Sequence, residues 1–206
     1  LLKKEVPMRL PEPRTDGDVS LERSIKGRRT ARSFTSRELT ADQFSQLLWA
    51  AQGVTEENGF KRATASGGAL YPLDIYAVIG DHGVKGWDQG IYHYEPRGHA
   101  ISPVREGDHR VSLAKASLSQ MWMASAPIQI VITAEYGRIC SKYGQRGIRY
   151  AMIEAGHAGQ NVFLQAEALG LCAGIVGAFD DKEVIRQMDI PDRHEPLLIM
   201  PIGYPK

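Results

Sequence analysis

The chain has 206 residues, a formal net charge of +1, and 43% hydrophobic and 24% charged residues. Those values fit one ordinary globular domain and argue against disorder, collagen and coiled coil. Near-neutrality gives no global field for nucleic acid, and no apolar run approaches the roughly 20 residues of a membrane span.

Two cysteines, Cys140 and Cys172, make neither a disulfide framework nor a zinc ribbon and suit a reducing, cytoplasmic setting. The chain starts at Leu1 rather than Met, which leaves a processed or trimmed N-terminus open. Residues 1–19, with Pro7, Pro11, Pro13 and Gly17, lack apolar periodicity and read as an extended arm. Residues 20–206 read as a single domain.

Ser20 is a candidate N-cap for a short helix through Lys26. Thr40 with Gln43 three residues on has the capping-box pattern, and Phe44, Leu47, Leu48 and Ala51 follow at helical spacing up to Gly53. Leu73 to Ile79 is a strand rich in β-branched residues. Gly90–Glu95 and Ala100–Val104 form a hairpin around Pro96-Arg97-Gly98. A helix is expected from Val111 to Met121 and a buried strand from Ile128 to Thr133.

The longest helix is expected from Ile148 to Leu169, with Ala151, Met152, Ala155, Val162, Phe163 and Ala166 inward. Leu171 to Phe179 reads as a glycine-rich strand. Asp180 and Glu183 start a short helix that turns Val184, Ile185 and Met188 inward, and Glu195 to Met200 gives a last strand. Interleaved strands and helices with a hairpin predict a mixed sheet carrying packed helices.

Four stretches stand out chemically. Arg23, Lys26, Arg28, Arg29, Arg32 and Arg37 place six cations within fifteen residues. They are either a solvated face, a nucleic-acid patch or a site for one phosphate, which Arg forks grip in bidentate geometry. Ala65-Ser-Gly-Gly-Ala-Leu-Tyr-Pro72 is either a plain turn or a backbone made for close approach to a flat ligand. The glycines of Gly170 to Asp180 mark either helix packing or a ligand against the backbone. On the long helix, Tyr150, Glu154, His157 and Asn161 share one face. Slim neighbours there suit helix–helix packing, and the Glu154–His157 pair has no third ligand, so no metal is expected. No GxSxG or HExxH is present. His82, His93, His99, His109 and His194 are expected at the surface.

In order along the chain, Arg28-Arg-Thr-Ala-Arg-Ser-Phe34, Gln46–Gly53, Ser66-Gly-Gly-Ala-Leu-Tyr-Pro72, Glu154-Ala-Gly-His-Ala-Gly-Gln-Asn161, Ala168–Leu171 and Pro201–Pro205 resemble the nitroreductase-like flavoproteins, particularly the SagB-type dehydrogenase branch. The resemblance implies an α+β fold: a central, mainly antiparallel mixed sheet flanked by helices, in an intertwined homodimer that binds FMN. It implies that Arg28 and Arg29 hold the phosphate and that Thr30 and Arg32 reach the ribityl chain and the pyrimidine edge. Ser66, Gly67, Gly68 and Ala69 would come from the other protomer, and Val176, Gly177 and Ala178 would lie near N5.

Three departures stand out. Thr30 replaces the usual Ser, Ala65 replaces the usual Pro, and Lys206 is the candidate for a phosphate cation that longer relatives supply further on. The implied chemistry is ping-pong hydride transfer from NAD(P)H to a small acceptor. Alternatives are azoline oxidation, for which SagB-type enzymes use a Lys-Tyr base matched here by Lys142-Tyr143, and FMN storage without catalysis. Acceptor pockets are expected to be built from variable loops, at Glu56–Arg62 and Gly137–Gly147.

Overall fold

A computed structural model describes residues 7–206; the first six residues of the expected arm lie outside them. The arm contributes an edge strand, β1 (Met8–Arg9), and its course is fixed by specific bonds. Leu10 donates its amide to the His99 carbonyl at 3.0 Å. The Ser45 hydroxyl donates to the Pro11 carbonyl at 2.5 Å, and Gln46 pairs with the backbone of Arg14 in both directions.

Helix α1 (Leu21–Gly27) starts where Ser20 accepts from the Arg23 amide, and α2 (Ala41–Gln52) starts on a complete capping box of Thr40 and Gln43. The sheet then builds from β2 (Leu73–Ile79), β3 (Gly90–Glu95) and β4 (Ala100–Glu106), with β3 and β4 forming the expected hairpin. Further along come α3 (Arg110–Ala116), β5 (Ile128–Ala134), α4 (Tyr136–Tyr143) and α5 (Arg146–Ala168). The chain closes with β6 (Cys172–Ala173), α6 (Asp181–Met188) and β7 (Glu195–Gly203).

The seven strands run in the order β1-β4-β3-β2-β5-β7-β6. Every ladder among the described residues is antiparallel, and parallel pairing occurs at isolated bridges such as Thr30–Ala173. Apolar residues cover both faces. Phe44, Leu47 and Leu48 of α2 and Ala155, Ala158 and Val162 of α5 pack on one side. Leu113 of α3, Met123, and Val184 and Met188 of α6 pack on the other. That double cover explains why β2 and β5 are buried at every position rather than alternating.

Several expectations need correction. Helix α3 ends at Ala116 rather than Met121, because Leu118 and Ser119 take left-handed φ values of 54° and 57°. The break is held from outside: Asp180 donates its amide to the Ala116 carbonyl at 2.9 Å, and the Gln120 amide reaches the Ala178 carbonyl at 3.2 Å. The stretch Leu171–Phe179 is a strand only at Cys172–Ala173, then follows β7 irregularly through Gly174 to Pro201 and Val176 to Ile199. Gly137–Gly147 is not a loop but α4 and the start of α5, with Gly144 at φ 55° between them. Met152 is exposed, since the buried stripe of α5 runs through Ala151, Glu154, Ala155, Ala158 and Val162, and one residue further on turns about 100° away. Ile185 is half-buried, and Val184 and Met188 carry the packing of α6.

Candidate functional site

The cation run begins at the end of α1 and passes directly beside β6. Thr30 bridges to Ala173, and Ala31 donates its amide to the Ala173 carbonyl at 2.9 Å. A Cβ on Gly174 would come within 2.8 Å of both the Ala31 carbonyl and the Trp122 ring, so this crossing requires glycine. The structure therefore joins two of the four stretches at one place. The Gly174 packing involves the cation run and Trp122 rather than the preceding helix.

None of Arg23, Lys26, Arg28, Arg29, Arg32 and Arg37 forms an ion pair with a carboxylate among the described residues. Four of the guanidinium groups rest on rings or carbonyls instead. Arg28 lies over Phe163 at 5.2 Å, Arg32 over Trp122 at 5.9 Å and Arg37 over Tyr204 at 4.0 Å. Arg29 curls back onto the carbonyls of Lys26 and Arg28, each at 2.8 Å. Lys206 joins this region, because the Phe34–Pro205 antiparallel bridge sets the last residue opposite Ser33.

Beyond Gly174, Val176 exchanges both backbone bonds with Ile199, at 2.8 and 2.9 Å, so its amide is spent within the sheet. Gly177 and Ala178 are exposed, and a Cβ on Gly177 would meet only the Leu197 carbonyl, at 4.0 Å.

The Ser66–Ala69 turn lies elsewhere. A Cβ on Gly67 would sit 3.3 Å from Ile139 and 3.7 Å from Tyr150, and Gly68 has φ 64°. Its own Cβ would fall 2.7 Å from the Tyr143 hydroxyl and 3.1 Å from Lys142 Nζ. Ala69 and Tyr71 are also left-handed, and the Ser66 hydroxyl accepts from the Tyr71 amide at 2.9 Å. Along α5 the turn docks at Tyr150 and the cation run at Phe163, about 20 Å apart at 1.5 Å per residue.

On the polar face of α5, Glu154 is buried and His157 exposed. Asn161 donates to the carbonyls of Ala50 and Ala63 and to Thr64 Oγ1, each at 3.2 Å, tying α5, α2 and the segment leading to the turn. Glu154 Oε1 accepts from the Gln52 amide at 3.2 Å. Burial pushes its carboxyl up to about 6, against the opposing pull of Ser66, Gln52, Arg62 and the Gly67 amide.

Three histidines expected at the surface instead sit in networks. His99 Nδ1 and Nε2 lie 2.8 Å from the Tyr94 hydroxyl and 2.7 Å from the Ser45 hydroxyl. His93 Nε2 lies 3.0 Å from Asp74 Oδ1, and buried His194 has Nδ1 at 2.7 Å from the Tyr76 hydroxyl. Donor atoms of Asp74, Glu135 and His194 lie within 4.8 Å of one another, the spacing of a metal triad. Arg138 already bridges the two carboxylates, at 2.8 Å to Asp74 and 2.7 Å to Glu135, so a guanidinium supplies the positive charge. Burial raises the Asp74 carboxyl, but His93, Arg138 and His194 together hold it below its ordinary value. No local sequence pattern marks this cluster. It draws on the ends of β2, β5 and β7.

A cavity of about 990 Å³ lies under the arm, between Asp16, Asp18, Trp49, Leu164 and Gln165, and touches neither Arg28–Arg32 nor residues 174–178. A smaller one of about 280 Å³ opens between Ser66, Gly67, Tyr150, Glu154 and His157. No helix among the described residues is long and apolar enough to cross a membrane.

The protein-family model described as the nitroreductase family matches residues 25–204. MJ1384 of Methanocaldococcus jannaschii, whose name assigns it provisionally to the nitroreductases, is 43% identical over 186 residues, covering 90% of this chain and 91% of that one. The microcin B17-processing protein McbC of Escherichia coli is 26% identical over 170 residues, covering 81% of this chain but 62% of McbC. Among solved structures, a Ralstonia eutropha protein provisionally named a nitroreductase superposes with a TM-score of 0.84 at 27% identity, over 100% of this chain and 92% of that one. Together with the antiparallel sheet and its covering helices, the match over nearly the whole chain establishes the fold and the kinship: the chain belongs to the nitroreductase family.

Proposed function

We propose that the protein is an FMN-dependent oxidoreductase that works as a homodimer, taking electrons from NAD(P)H and passing them to a small acceptor. The observation that carries it is the joining of Thr30 and Ala31 to Ala173, which sets a cation run without carboxylate partners beside the segment that leads to exposed Gly177 and Ala178. These residues fit FMN. Arg28, Arg29 and Lys206 would offset the phosphate dianion, and Thr30 and Arg32 would face the ribityl chain and pyrimidine edge. The amides of Gly177 and Ala178 would meet the ring, while Val176 would shape the strand under it without donating. When bound, FMN supplies the hydride chemistry, and the protein supplies position and electrostatics. Arg32 would favour the negative charge that reduction places on the pyrimidine side.

The Ser66–Ala69 turn docks about 20 Å along α5 from Arg28, which supports its reaching the flavin of a second copy. Apolar side chains left exposed on α1 (Leu21, Ile25) and α5 (Met152, Ile153), with open space beside Gly156, suit a contact between copies. The test is FMN occupancy of purified protein, followed by anaerobic mixing with NADH or NADPH while flavin absorbance is recorded. Bleaching by either nucleotide supports the oxidoreductase. A yellow protein that neither nucleotide reduces points to FMN storage or another donor, and a colourless protein that takes up no FMN overturns the assignment. Sedimentation showing a stable monomer with FMN bound overturns the shared site.

A second reading is favoured by one contact. Lys142 and Tyr143 stand against Gly68, in the turn assigned to the flavin, as a base pair for azoline oxidation would require. Oxidation of a synthetic azoline peptide, lost in Tyr143→Phe, would select that chemistry over a simple acceptor.

A further inference from the structure

Glu154 is anomalous because it is a buried acid with half of its carboxylate unbonded. It is 1% exposed, in the middle of α5, and Oε2 has no hydrogen-bond partner. An acid whose pKa is raised by burial costs stability once it ionises. What lies above it is the turn from Ser66 to Tyr71, where Gly68, Ala69 and Tyr71 hold left-handed φ values of 64°, 54° and 47°. Non-glycine residues keep such conformations only where their surroundings over-determine them.

We propose that Glu154 is a positioning residue for this turn: its carboxylate, buried under Ser66 and Gly67, holds the strained backbone in the shape that meets flavin. The proposal rests on the flavin assignment above, and it gives the turn a dependence on a proton. The groups facing Glu154 are few. From α2 there is the Gln52 amide, and from the loop there are the Ser66 hydroxyl, the Gly67 amide and the Arg62 guanidinium. Arg62 lies over the Tyr71 ring at 4.1 Å, and its Nε is buried without a partner. Tyr150 and exposed His157 flank Glu154 on α5 and share the small cavity with it. Arg138, Lys142 and Tyr143 of α4 and Arg97 lie further out; Lys142 and Tyr143 face Gly68, and Arg97 and Arg138 act on Arg62.

Above pH about 6 the carboxylate is charged, with Oε1 accepting from Gln52 and with Ser66 and Gly67 across the small cavity from it; as pH falls through that value it takes a proton and loosens its hold. Hydrogen exchange of residues 63–71 in the whole protein, corrected for intrinsic rates, reads the turn without any ligand. Protection should fall between pH 7.5 and pH 5 in the wild type. Glu154→Gln should show the low-pH pattern at both values, Glu154→Asp should restore part of the dependence, and His157→Ala should behave as the wild type. FMN titrations should show affinity falling roughly tenfold over the same interval, the worth of one charge-assisted bond. The FMN phosphate also titrates near pH 6, so the difference between wild type and Glu154→Gln carries the comparison. A Glu154→Gln protein that keeps the wild-type pH dependence overturns the proposal, as does wild-type protection that is equal at both pH values. Exchange as expected with no FMN bound at pH 7.5 overturns the flavin assignment alone and leaves the hold of Glu154 on the turn standing.

Discussion

Thr30 and Ala173 form a parallel bridge that closes most of the length of the chain into one contact. On one side of it stand cations without carboxylate partners, and on the other the irregular edge that leads to Gly177. A charged run with no anion nearby is costly only if it is desolvated, and here it is exposed except for Arg28, which is half-buried over Phe163. Solvent screens the exposed run, so it is tolerated without a bound anion.

Arg28 is therefore the cation whose removal should be felt most. Its guanidinium already rests over the Phe163 ring, so less side-chain entropy would be lost on binding a phosphate. Arg28→Ala should weaken FMN binding by about 1.5–3 kcal/mol, the range for a charged hydrogen bond. Arg28→Lys should recover part of that, keeping the charge but not the fork. Fluorescence titration of apo-protein checks both, and unchanged affinity in Arg28→Ala would remove the residue from the site.

Gly177 separates binding from folding. A side chain there meets only the Leu197 carbonyl at 4.0 Å, so Gly177→Val should keep a melting temperature close to the wild type. It should nonetheless fail to take up FMN, because its branched side chain occupies the space above the exposed backbone. Full flavin occupancy in a folded Gly177→Val protein would refute the assignment. Gly174→Val should instead unfold or misfold, since its Cβ would strike the Ala31 carbonyl.

These contrasts show what the sequence could and could not supply. Helix starts at Ser20 and Thr40 and the runs at Leu73–Ile79 and Ile128–Ala134 were legible, because capping and burial are local signals. Helix α4 was not, because Glu135 and its neighbours give no capping bond and two turns carry little periodicity; the tertiary pairing of Arg138 with Asp74, with the local pair to Glu135, holds it instead. The cation run and the glycine segment were each visible as oddities. Their adjacency depends on a bridge between distant residues, which no spacing rule expresses. His93 and His194 looked like scattered surface residues because their shared partner, Asp74, lies on another strand.

Asn161 should prove structural rather than catalytic. One amide nitrogen holds the carbonyls of Ala50 and Ala63 and the Thr64 hydroxyl, so Asn161→Ala leaves buried acceptors unsatisfied. The expected cost is about 1–3 kcal/mol, or a melting temperature lower by roughly 2–4 °C per kcal/mol at this chain length. Asn161→Asp should cost more, because it sets an acceptor against acceptors. Thermal melts of the two variants decide it, and Asn161→Asp as stable as Asn161→Ala would argue against the bonding pattern.

The Asp74 cluster makes the clearest statement about pH. Its carboxyl is held below the ordinary value in the folded state, opposed by burial but favoured by His93, Arg138 and His194. A group depressed on folding contributes stability that is present above its unfolded pKa, about 3.9, and is lost as pH falls through the folded value. Asp74→Asn should thus destabilise the protein by about 3 kcal/mol at pH 7, since it leaves Arg138 half-paired and His93 facing a neutral partner. The gap between variant and wild type should narrow as pH drops below 4, where the wild type loses the same charge. Urea denaturation at pH 7 and pH 3 measures both gaps. A gap of equal size at the two pH values would mean that the carboxylate's charge contributes nothing and that Asp74 acts through shape alone.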